Sequence, residues 1–117
     1  MKKIYHLPNC DTCRKIIVQL NKAGDFELQN IKDKNISAEE LDALAEKVGS
    51  YEALFSRKAM KYRSLGLHDR QLTEQEYRDF ILEEYTFVKR PFIIIEDEVF
   101  IGNAKETLEA AKIKLGL

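Results

Sequence analysis

The sequence predicts an α/β fold with a mixed sheet, assembled from a βαβ half and a ββα half with helices between them. Three observations predict it. Near the N-terminus, a short run of β-formers passes into an apolar repeat of helical period and then into an alternating segment, FELQNI. The middle of the chain carries two helix-start signatures, SAEE at 37–40 and TEQE at 73–76. The period then changes again, with RPFIIIEDEVFIG reading as two strands around a turn and NAKETLEAAKIKLGL as a closing helix.

Each element follows from its residues. Lys3–Leu7 reads as a strand that Pro8 ends. A helix begins at Asp11 or Thr12, repeats its apolar positions at Ile16, Ile17 and Leu20, and stops at Gly24. Residues 26–31 alternate as a second strand, and KDKN marks a loop. Ser37 and Glu40 form a capping box for a helix whose inner face is Leu41, Leu44, Ala45 and Val48, ended by Gly49. Ser50 caps a short helix through Tyr51, Leu54 and Phe55, and SRKAMKYRSLGL reads as irregular and basic. A further helix follows TEQE, with Tyr77, Phe80, Ile81 and Tyr85 as its buried stripe. Asn103 is the expected cap of the last helix, which turns Leu108, Ala111 and Leu115 inward. This order is the plan of the thioredoxin-type fold: one domain over residues 1–117, with a helical insertion at approximately 37–86 between its halves.

Composition narrows the function classes. The 117 residues hold 19 basic and 20 acidic side chains, a formal net charge of −1. That balance offers no field for direct nucleic-acid binding. Apolar runs such as FIII are far too short to cross a membrane. The opening MKKIYHLP lacks the apolar core of a secretory signal, so a cytoplasmic location is expected, where cysteines stay reduced.

Both cysteines fall in HLPNCDTCRK, where a strand hands over to a helix. Cys10 sits just before the expected helix start and Cys13 in its first turn. Unpaired N–H groups and the positive helix end favour a thiolate there, and the same end attracts anions. Cys13 is close enough around the turn to resolve a bond formed on Cys10, and Arg14 and His6 add positive charge nearby. Two other readings stay open. A zinc site needs about four ligands, yet the chain has two cysteines and two histidines, with His68 far away in a basic stretch. A reading as inert core cysteines must explain why they lie at the turn rather than on the apolar face. A C-x-x-C that follows a strand and opens a helix favours thiol chemistry. Further along, Pro91 opens a strand, where its missing N–H costs little. FSRKAMKYR brings together Arg57, Lys58, Lys61 and Arg63 with no acid among them, either a solvated face or the neighbour of an anion.

Together, IYHLPNCDTCRK, LFSRKAMKYRSLGL, LTEQEYRDFILEEYTFVKRP and RPFIII resemble, in order and spacing, the ArsC/Spx family over essentially the whole chain. That family comprises glutaredoxin-linked arsenate reductases, the Spx regulators and their relatives. The resemblance implies that Cys10 is the nucleophile, that His6 helps stabilise its thiolate, and that Arg57 and Arg90 hold an oxyanion such as arsenate. It implies a cis-Pro91 opposite the active cysteine, with Arg90 projecting near Cys10. It implies no bound cofactor, with glutathione and glutaredoxin, or thioredoxin, as electron donor to an oxyanion or disulfide substrate. Two departures stand out. Gly102 falls about where the reductases carry a further arginine, which leaves Arg14, Lys58 or Arg63 to supply the charge. Cys13 stands where many reductases have serine, as in Spx, whose cysteine pair forms a disulfide that senses oxidation. The alternatives to a reductase are therefore a regulator that binds RNA polymerase through a Cys10–Cys13 switch, or a related domain that has lost activity.

Overall fold

The strand signals at the two ends of the sequence come together in one four-stranded sheet. The structure, a computed structural model, describes residues 2–7, 11–24, 26–102 and 104–117, without the side chains of residues 12 and 23. Pro8, the expected strand stop, Cys10, the expected nucleophile, and Asn103, the expected cap, lie outside the described residues. In chain order the elements are β1 (Lys2–His6), α1 (Asp11–Leu20), β2 (Glu27–Asn30), α2 (Ala38–Val48), α3 (Met60–Ser64), α4 (Glu74–Glu83), β3 (Phe92–Ile95), β4 (Glu98–Ile101) and α5 (Lys105–Leu115). Short 3₁₀ turns occupy Asn21–Ala23, Glu52–Leu54, Leu67–Asp69 and Tyr85–Phe87. The chain divides into two compact units, Met1–Lys34 with Arg90–Leu117, and Asn35–Lys89.

The first unit holds the sheet, in the order β2-β1-β3-β4. β1 and β2 are parallel, as a crossover through α1 requires, whereas β3 runs antiparallel to both β1 and β4. Alternation along the strands sorts the side chains by face. Ile4, Ile93 and Ile95 point to the side covered by Ile16 and Leu20 of α1 and Ala111 of α5, with Leu108 and Leu115 packed against them. The opposite face carries Tyr5 and Phe92, whose rings meet edge-on at 6.2 Å. Lys3 lies there too, its Nζ 3.0 Å from Glu27 and 4.6 Å from the centre of the Tyr5 ring.

The second unit is helical around a cluster of rings. Phe55 stacks on Phe87 at 4.9 Å and meets Tyr77 edge-on at 5.0 Å. Both expected capping boxes are present, Ser37 with Glu40 and Thr73 with Glu76. Gly49 ends α2 at φ +100, a left-handed conformation that glycine adopts without a Cβ penalty.

Several boundaries differ from expectation. Leu7 is outside β1, because β1 starts one residue earlier and ends at His6. The basic stretch is not wholly irregular: Met60–Ser64 forms α3. Tyr85 falls beyond α4 in a 3₁₀ turn, so the buried stripe of that helix reduces to Tyr77 and Ile81, with Phe80 half-buried. α5 starts at Lys105, with Ala104 at the cap position and no side-chain cap bond, so the expected Asn103 cap is displaced by one residue.

Candidate active site

β1 ends at His6 and α1 begins at Asp11, so the segment carrying Cys10 joins a strand end to a helix N-terminus. Burial holds the His6 imidazole below its usual value of 6.5. It is therefore neutral at pH 7, which removes the positive charge that the sequence suggested for it. His6 keeps a ring N–H to donate, and its backbone carbonyl accepts from Ile31 N–H at 2.9 Å, fixing the strand end.

Cys13 is fully buried, at 0 % exposure. Its position relative to Ile16, Ile17 and Leu20 is i, i+3, i+4, i+7, so it does lie on the apolar face of α1. The contrast drawn from sequence between the helix start and the apolar face fails for this residue, because the first turn of α1 belongs to both. A thiol so placed is shielded from solvent reagents. Arg14 points the other way, 65 % exposed, and pairs with Asp11 one turn earlier.

At the start of β3 the Arg90–Pro91 peptide is cis. Among the described residues, Nη1 of Arg90 is a buried side-chain nitrogen with no hydrogen-bond partner. Buried donors are normally satisfied, so such a nitrogen calls for an acceptor. Gly102 has φ +92 and donates its N–H to Pro91 O at 2.9 Å. Any side chain at this position, including the arginine that the resemblance leads one to look for there, would strain the backbone.

Arg57 lies in the second unit and is about half exposed. Its Nη2 donates to Glu52 Oε2 at 2.6 Å and to the Tyr77 hydroxyl at 3.1 Å. The Glu52 contact raises its pKa further, so it is permanently charged. Burial raises that of Tyr77, which stays a neutral phenol. Lys61 pairs with Glu84 at 2.6 Å. The basic stretch thus does have acids, brought from outside it by the fold. Glu52 and Tyr77 were missed as site neighbours; Tyr77 reads in sequence only as a core position, and Glu52 gives no signal beyond its nearness to Arg57. Among the described residues no cluster of His, Cys, Asp and Glu is arranged to hold a metal ion, and no helix is long and apolar enough to cross a membrane.

Residues 5–111 match the ArsC family. The chain belongs to that family. An arsenate reductase of Haemophilus influenzae is 31% identical over 108 residues, covering 90% of this chain and 93% of that protein. Among solved structures, a putative ArsC family related protein from Bacteroides fragilis superposes with a TM-score of 0.81 at 27% identity, covering 95% of this chain and 97% of that one. A possible arsenate reductase from Streptococcus mutans gives 0.76 at 29% identity, covering 93% and 98%. As an ArsC-family chain it has the thioredoxin-like arrangement of a mixed sheet with α1 and α5 on one face.

Proposed function

We propose that the protein is a thiol-dependent reductase of arsenate or a related oxyanion, with Cys10 as nucleophile. The observation that carries this reading is the buried Nη1 of Arg90, without a partner among the described residues, in the unit that also includes Cys10. A buried guanidinium donor without an acceptor among the described residues fits a site that an anion completes. Family membership and the arsenate reductase of Haemophilus influenzae support the same class of chemistry.

In this reading Arg90 is an oxyanion-binding residue of the first unit and Arg57 one of the second, and neutral His6 donates a ring N–H to the Cys10 thiolate. The thiolate attacks arsenic, forming an S–As bond, and an arsenate hydroxyl takes up a proton and leaves as water. A second thiolate, from glutathione or Cys13, then attacks the Cys10 sulfur. The S–As electron pair passes to arsenic, arsenite departs, and a disulfide remains. Two thiols are oxidised as arsenic gains two electrons. Glutaredoxin or thioredoxin returns the disulfide to thiols, and the chain's own residues perform the reaction without a bound cofactor.

The test is arsenate-dependent NADPH consumption, with glutathione and glutaredoxin in one assay and thioredoxin with its reductase in another. Turnover abolished by Cys10→Ser is the expected result. Loss of turnover in Cys13→Ser with thioredoxin alone identifies Cys13 as the resolving thiol. No turnover with either donor, together with a readily formed Cys10–Cys13 disulfide, overturns the arsenate reductase in favour of the redox-switched regulator of RNA polymerase or a reductase of another substrate.

A further inference from the structure

Glu52, Arg57 and Tyr77 form a triangle of hydrogen bonds within the second unit. Arg57 Nη2 donates to Glu52 Oε2 at 2.6 Å and to the Tyr77 hydroxyl at 3.1 Å, and that hydroxyl lies 3.4 Å from the same carboxylate oxygen. Tyr77 is the buried member, 7% exposed, and is held edge-on against Phe55. The Arg57 and Glu52 side chains are 47% and 52% exposed. The buried phenol therefore anchors a guanidinium and a carboxylate that face solvent side by side.

An anion arriving at Arg57 meets Glu52 in the same place. A carboxylate accepts hydrogen bonds and donates none. Beside it, a fully deprotonated oxygen is repelled, whereas an oxygen that carries a proton donates a hydrogen bond. We infer that Glu52 makes Arg57 selective for oxyanions that retain an O–H, the arsenate and phosphate class, over fully deprotonated oxyanions such as sulfate. The inference rests on the assignment of Arg57 to the oxyanion and deepens it: the discriminating feature is a proton, not the size or charge of the anion.

Glu52→Gln isolates this effect. Glutamine has the same shape, still accepts from Arg57, and presents an N–H that suits a deprotonated oxygen. Binding of inorganic phosphate and of sulfate to the reduced protein would be measured by titration calorimetry at about pH 8, where both anions are dianions and differ in the proton. The wild type is expected to prefer phosphate. Glu52→Gln is expected to raise sulfate affinity about tenfold and to leave phosphate within about twofold, well short of the discrimination of enclosed sites because Glu52 is half exposed. An unchanged phosphate-to-sulfate ratio overturns the inference, including the case in which both affinities rise together because Glu52 merely competes for Arg57. Failure of the wild type to bind either anion overturns it as well. Arg57→Ala separates the two levels. If it leaves both affinities intact, the assignment of Arg57 is wrong; if it weakens both while Glu52→Gln leaves the ratio unchanged, only the selectivity is wrong.

Discussion

The His6 imidazole is uncharged at neutral pH because burial disfavours the imidazolium. The folded state therefore takes up this proton at lower pH than the unfolded chain does. The stability that depends on neutral His6 is complete above 6.5 and declines as pH falls below that value toward the folded pKa. His6→Gln cannot titrate, so its melting temperature is expected to fall less than the wild type's over the same acidic interval; parallel curves would remove this role. Cys13 supplies a second test at this scale. At 0% exposure it is expected to resist iodoacetamide in the folded Cys10→Ser variant and to react on denaturation. Fast labelling of the folded variant would show that the first turn of α1 opens readily. Neither property could be read from sequence, since both depend on what covers a side chain rather than on its neighbours in the chain.

The helices of the second unit start where local chemistry dictates. In α2, Glu40 N–H donates to Ser37 Oγ at 3.1 Å and Ser37 N–H to Glu40 Oε1 at 3.1 Å. Ser37→Ala is expected to cost about 1 kcal/mol in urea denaturation. Ser37→Asp should retain most of that stability, and an equal loss in both variants would show that the cap bond is not the cause. These boxes were legible because every group involved lies within four residues. The same holds for Gly49 and for the hairpin of β3 and β4. α3 was not legible, because its five residues, MKYRS, show no apolar stripe and none of them is buried. Its form reflects tertiary context rather than an amphipathic pattern. The start of α5 fell one residue later than expected, with Ala104 at the cap position, within the one or two residues by which helix ends are ordinarily uncertain from sequence. In the candidate site, the residue types were legible at Arg57 and Arg90, whereas their partners were not. Glu52 and Tyr77 reach Arg57 across 5 and 20 positions of sequence.

The sheet joins the two ends of the molecule. β1 pairs with β2 on one side and β3 on the other, matching Ile4 to both Leu28 and Ile93. β1 and β3 are interior strands, while β2 and β4 are edges. In an interior strand every amide has a partner on one flank or the other, so exchange there needs the sheet to open. The slowest hydrogen exchange in the first unit is therefore expected at Ile4, Tyr5, Ile93 and Ile94, ahead of the edge strands. Ile93 also joins the sheet to its helices, fully buried in the cluster with Ile4, Ile16, Leu20 and Ala111. Ile93→Ala should cost about 2–5 kcal/mol, from lost transfer energy and the cavity left behind. Because β1 exchanges through opening of the whole sheet, its protection should fall by the same free energy as global stability. A destabilised variant whose β1 amides keep their wild-type protection would show that β1 and β3 open independently, and that the sheet is not one cooperative unit.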